Sequence, residues 1–147
     1  MFKKILVALT VAILLASGIA IQTAFAGDQK PAAGTALPAD GGEPGKAYMT
    51  YCKAMTSGDM AALKKLVSAE RAKQMDDPDF QKMFPMIQEM MAKDIKITGG
   101  TVSGNAATLN AEGKDSMGGG IAKGTISMVL EDKQWKVETD SWSSGAN

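Results

Sequence analysis

The sequence predicts an α+β domain in which N-terminal helices pack on one face of an antiparallel sheet. Three observations carry this. Apolar residues recur at helical spacing from Tyr48 to Met91 and then at a period of two from Ile95 to Val137, so helices come first and strands after. Residues that start and stop helices stand at the expected places: Gly58, Asp59, Ser68 and Asp77-Pro78. Ser103-Gly104-Asn105 and Asp132-Lys133 separate the alternating stretches as hairpin turns do.

Taken in order, residues 1–26 have the build of a secretory signal. Lys3 and Lys4 form the positive end, Ile5 to Ile21 is an uncharged, mostly apolar run, and Ala24 and Ala26 are the small residues that a signal peptidase reads. Cleavage is expected before Gly27. The alternative is an uncleaved anchor, because the apolar run lies at the bottom of the membrane-spanning range. Export, to a periplasm or the medium, is expected either way, and the membrane enters only through a retained leader. Residues 27–45 hold five Gly, three Pro and four Ala with Leu37 as the one large apolar side chain. That is too little to offset ordering entropy, so a flexible tether is expected.

The folded domain is expected over residues 46–142, with a frayed tail over 143–147. Tyr48, Tyr51, Cys52 and Met55 form the stripe of a first helix, which Gly58 ends. Asp59 caps a second helix with Met60, Leu63, Leu66 and Val67 inward. Ser68 caps a short turn through Met75. Asp77-Pro78 opens a further helix with Phe80, Met83, Phe84, Ile87, Met90 and Met91 on a broad apolar face. Pro85 costs about 3 kcal/mol there, so a kink or two short helices is expected. The strands alternate around Ile95 and Ile97, around Ala107, Leu109 and Ala111, around Ile126, Met128 and Leu130, and around Trp135 and Val137.

Composition removes much chemistry. The 147 residues include 16 basic and 16 acidic side chains, no histidine and one cysteine. Without Lys3 and Lys4 the balance is 14 against 16, which leaves no basic footprint for nucleic acid. Lack of histidine excludes Ser-His-Asp and Cys-His nucleophiles and the usual histidine-containing zinc sites. A single cysteine excludes an internal disulfide framework. Cys52, on the apolar stripe, reads as a buried inert thiol, with a bond between two chains as the alternative. Gly118 to Thr125 has the wrong residue order for a phosphate loop and leads into a strand, so a hairpin connection is expected. Eight of the eleven methionines lie between Met49 and Met91. Their thioethers are soft ligands for Cu(I), but adaptable core filling is the expected role, and no metal or cofactor site is assigned.

The segments Tyr51 to Val67, Ile95 to Ala107 and Val129 to Val137 resemble the nuclear transport factor 2-like, or cystatin-like, superfamily, and in particular its small exported bacterial proteins of unknown function. The resemblance implies a curved, cone-like sheet around the helices. In its isomerase and dehydratase branches, carboxylates, tyrosine or histidine work inside the cone. Tyr48 or Tyr51 would then be the oxyanion donor, and Asp94 or Asp140 the only acids at the cone mouth. The apolar register of the sheet holds no carboxylate, so no catalytic residue is assigned.

The expected function is a non-enzymatic binding module for a small apolar ligand or an envelope protein. The alternatives are a cone-pocket isomerase or hydratase and a plain dimerising module. Small residues on the sheet, Ala107 among them, leave volume opposite the helices. A shallow apolar cleft is therefore expected, walled by Met83, Phe84, Met90, Met91, Ala107 and Met128.

Overall fold

Glycine bounds the first helix at both ends. In the computed structural model, which describes residues 34–144, α1 (Gly42–Ser57) follows Gly41 at φ 76° and stops at Gly58 at φ 72°, a left-handed value that glycine adopts without a Cβ clash. Asp59 caps α2 (Met60–Leu66) by accepting from Ala62 N–H at 2.9 Å. Ser68 caps α3 (Ala69–Gln74) through Arg71 N–H. Asp77 caps α4 (Pro78–Met90) through Asp79 N–H, with Pro78 at the first turn. The stop at Gly58 and the caps at Asp59, Ser68 and Asp77 are those expected from sequence. Around Pro85, α4 is one helix rather than two. Phe84 is buried, with Phe80 and Ile87 half-buried beside it, which offsets the proline's missing hydrogen bond.

The sheet is an antiparallel meander in the order β1 (Thr35–Ala36), β2 (Lys93–Ser103), β3 (Ala106–Lys114), β4 (Ile121–Glu131) and β5 (Gln134–Ser144). Asp132 and Lys133 both take positive φ, as the two centres of a I′-type hairpin turn must. Register shifts in β2, at Lys93/Lys96 and Ile97/Gly99, and between β4 and β5 at Ser127/Met128 insert extra residues that bend the strands. The sheet is curved and unclosed. A parallel bridge from Val67 to Val137 ties the α2–α3 junction to β5.

Two boundaries differ from expectation. Of the expected tether, residues 27–33 lie outside the described residues, as does the leader with Ala24, Ala26 and Gly27. Residues 34–45 are ordered: Thr35 and Ala36 pair with Thr101 and Val102, Leu37 N–H donates to Gly100 O at 2.9 Å, and α1 begins at Gly42. Backbone pairing needs no large side chain, so a Gly- and Pro-rich composition does not forbid it. At the other end β5 includes Ser143 and Ser144, paired with Lys123 and Ala122; residues 145–147 lie outside the described residues. Among the described residues no helix is long and apolar enough to cross a membrane.

The core lies where α1 crosses the inner face of the sheet. Tyr48, Tyr51, Cys52 and Met55 meet Ile97, Ala107, Leu109, Ala111, Ile126, Met128 and Val137 there. The small residues of β3 and β4 do leave volume, but α1's tyrosines and Trp142 take it instead of methionines from α4. The Trp142 indole lies so close over Gly124 that a Cβ at that position would sit 2.9 Å from the ring. With Ala107 buried in this filled space, Ala107→Leu should overpack it. The denaturation midpoint should fall by the equivalent of about 1–3 kcal/mol; unchanged or raised stability would reveal an open space instead.

Candidate functional site

The six residues expected to wall one cleft are not brought together. Met83 and Met90 face solvent at 50% and 58% exposure, while Phe84, Ala107 and Met128 are buried in the core. Only Met91 borders a cleft. The physical reason is the orientation of α4: its inner face is the line Phe80, Phe84 and Ile87, which turns Met83 and Met90 away from the sheet.

The main cleft, of about 670 Å³, lies between α1, the end of α4 and the start of β2. Its apolar lining is Met49 and Cys52 from α1, Met91 and Ala92 from the α4–β2 junction, and Ile95 from β2. Thr56, Ser57 and Gln88 add neutral polar groups, and Lys53, Lys93 and Asp94 add charge. Gln88 fixes one wall by donating from Nε2 to Met55 O at 2.5 Å, which joins α4 to α1. Asp94 is held by Lys114 at 2.7 Å, and that hydrogen bond keeps its carboxyl below the usual carboxylate range. Lys53 and Lys93 have no acidic partner within 4.0 Å among the described residues. A second cavity of about 380 Å³, with Ile97 on its wall, continues along β2 and shares Met49 and Ile95 with the first. Asp40 and Lys96 also line the second, so the two form one groove with an apolar strip of Met49, Ile95 and Ile97 between charged margins.

The interior beneath the sheet holds a different cluster, built from α1, α3 and β5. Arg71 Nη2 donates to Asp140 Oδ1 at 2.7 Å and to Tyr51 Oη at 2.9 Å, and the guanidinium lies 5.3 Å from the Tyr51 ring centre. The rings of Tyr48 and Tyr51 stack at 5.7 Å. Tyr48 Oη, Arg71 Nη1 and Trp142 Nε1 are buried without a protein hydrogen-bond partner. Burial is the first cause that raises the Tyr48 and Tyr51 hydroxyls above the usual phenol value; nearby Cys52 adds to it for Tyr48 and Asp140 for Tyr51. Burial also pushes the Cys52 thiol up to about 12, in keeping with the inert thiol expected. A depression of about 260 Å³, bordered by Arg71, Glu138 and Asp140, reaches this cluster from outside.

Sequence reasoning singled out Tyr48, Tyr51 and Asp140 but not their organiser, Arg71. A signal existed, because Arg71 is the chain's single arginine among fifteen lysines. The planar guanidinium suits a partly buried pair with an aromatic neighbour better than an ammonium does. Gln88 and Trp142 were missed as well, and nothing local in the sequence marks them.

No known family profile and no curated protein matches the sequence. Among solved structures, the chain is similar to a candidate dehydratase of the nuclear transport factor 2-like family from Streptomyces avermitilis, at 15% identity and a TM-score of 0.52 over 74% of this chain and 97% of that one. Two proteins of unknown function described as similar to nuclear transport factor 2 also match. One, from Silicibacter pomeroyi DSS-3, has 17% identity and a TM-score of 0.47 over 68% of this chain and 91% of that one. The other, from Shewanella baltica OS155, has 15% identity and a TM-score of 0.48 over 71% and 93%. The expected nuclear transport factor 2-like fold is the fold observed.

The buried phenols and thiol make the fold sensitive to alkali. In the native state Cys52, Tyr48 and Tyr51 keep their protons beyond their usual values of about 8.5 and 10. The unfolded chain releases them at those values and so binds fewer protons than the native state. Stability should therefore be level to about pH 8 and fall as pH rises from about 9 towards 12, by up to about 1.4 kcal/mol per pH unit for each such group. Cys52→Ala should delay the onset, as read from urea midpoints across pH. A midpoint unchanged at about pH 11 would contradict the burial of these groups.

Proposed function

We propose that this nuclear transport factor 2-like domain is an exported, non-enzymatic binding module for an elongated, mostly apolar small molecule with an anionic end. The observation that carries this reading is the groove between α1, the end of α4 and β2. Its apolar walls run on from the main cleft past Met49 and Ile95, and Lys53 and Lys93 stand at its mouth without acidic partners among the described residues. The main cleft has the size and apolar lining of small-molecule pockets, which use a few polar groups to set orientation. The secretory build of residues 1–26 supports export.

The interior cluster is a poorer basis for function. A general base has to reach a substrate proton. Asp140 is instead committed to Arg71, and Tyr48 and Tyr51 are sealed at 0% and 1% exposure. The proposed ligand therefore belongs in the groove, and the tyrosines belong to the core.

A medium-chain fatty acid should raise the thermal midpoint of the purified protein, and the matching alcohol should raise it less. At a hundred times Kd a single site stabilises by about 2.7 kcal/mol. Thr56→Trp places a large ring at the mouth from an exposed position on α1 and should abolish the shift while leaving the unliganded midpoint within about 0.5 kcal/mol. Equal shifts in the Thr56→Trp variant, or none with either compound in the parent protein, would refute the groove as the binding site. Retention of residues 1–26 in the mass of the exported protein would refute cleavage.

A further inference from the structure

We propose that Met83, Met86 and Met90 on α4 form a surface site for a soft monovalent cation, Cu(I), held by three thioethers. This is independent of the groove. The sequence alone made core filling the expected role of these methionines, and the structure removes that explanation. Their exposures are 50%, 51% and 58%, whereas the inward positions of the same helix are Phe80, Phe84 and Ile87. Aromatic and branched side chains thus face the core, and thioethers occupy the exposed edge.

The three positions suit one ion. At 3.6 residues per turn they fall within an arc of about 60° on one side of α4. Neighbouring Cβ atoms at i, i+3 and i, i+4 are about 5–6 Å apart, a gap that a methionine arm with three rotatable bonds can close. Helical side chains lean towards the N-terminus, so Met86 and Met90 lean back towards the turn that bears Met83. Thioethers are neutral soft donors that favour Cu(I) over hard cations. No group of three His, Cys, Asp or Glu side chains lies together among the described residues to compete with them. Cys52 is buried on α1, and its raised thiol makes it a poor rival.

The test is anaerobic titration of the full chain with Cu(I) against a chromophoric chelator, repeated with Ag(I) as a redox-inert stand-in and read by native mass spectrometry. One ion per chain is expected. The Met83→Leu, Met86→Leu, Met90→Leu triple variant keeps an apolar edge and should keep its thermal midpoint, but it should lose the bound ion. Cys52→Ala should still take it up. Uptake by the triple variant, loss of uptake in Cys52→Ala, or no uptake by the parent chain would each overturn the assignment. If neither parent nor triple variant takes metal and both self-associate alike, the edge is a contact between copies and the metal site is refuted.

Discussion

The fit of α1 against the small residues of the sheet is the constraint on which the rest depends. Ala107, Ala111 and Ala122 face inward, and Gly124 lies under the Trp142 indole with no room for a methyl group. A strand of larger residues would hold α1 away from the sheet. With alanine and glycine there, the Tyr48–Tyr51 pair is buried completely, and each large side chain contributes roughly 1.5–3 kcal/mol by leaving water. Aromatic rings do here what the sequence assigns to methionines, with fewer rotamers to lose. The depth of α1 then sets the positions of Cys52 and Met49, and with them the floor of the groove.

Arg71 closes the same arrangement from its open side. It reaches Tyr51 of α1 and Asp140 of β5 from α3, so one guanidinium joins three elements. Its largest cost is desolvation, and the Asp140 carboxylate with its hydrogen bond offsets that in keeping it protonated. An ion pair at this depth adds little net stability over an apolar pair of the same shape, but removing one partner strands the other. Together with the Val67–Val137 bridge and the Ser68 N–H bond to Val137 O, it specifies how α3 sits on β5. The same commitment pairs the interior carboxylate with a guanidinium, so Asp140 is not a free carboxylate.

What was legible in the sequence follows from how local each signal is. The helix caps at Asp59, Ser68 and Asp77 and the stop at Gly58 depend on a few adjacent residues, and all are found as read. Inward and outward positions on β3 and β4 follow from strict alternation. Three features depend on partners distant in sequence and were not legible. Thr35 and Ala36 join the edge of β2 through backbone groups that every sequence possesses. Arg71 finds Asp140 across 69 positions. The rotation of α4 was misjudged because seven apolar residues between Phe80 and Met91 cover more of the helix than the core can accept. Periodicity identified the broad face but not which part of it is buried. The expected cleft depended on that rotation, so of its six residues only Met91 lies at the observed groove.

The rotation of α4 also accounts for where adaptability lies. Among the described residues, α1 is fastened by the buried side chains of Tyr48, Tyr51, Cys52 and Met55, and β3 and β4 by a full ladder of hydrogen bonds. On α4 only Phe84 is buried, and its best-defined polar link to α1 is the single amide of Gln88. An element with few buried contacts opens at lower free energy than the body on which it rests. Because α4 supplies Gln88 and leads into Met91 and Ala92, a displacement of it would change the width of the groove, with Phe84 as its buried tie to the core. Met49 and Met91, both half-buried and unbranched, can follow such a change by altering rotamers rather than backbone. The rigid part of the molecule is thus the helix wedged into the sheet, and the adjustable part is the helix that leans on it.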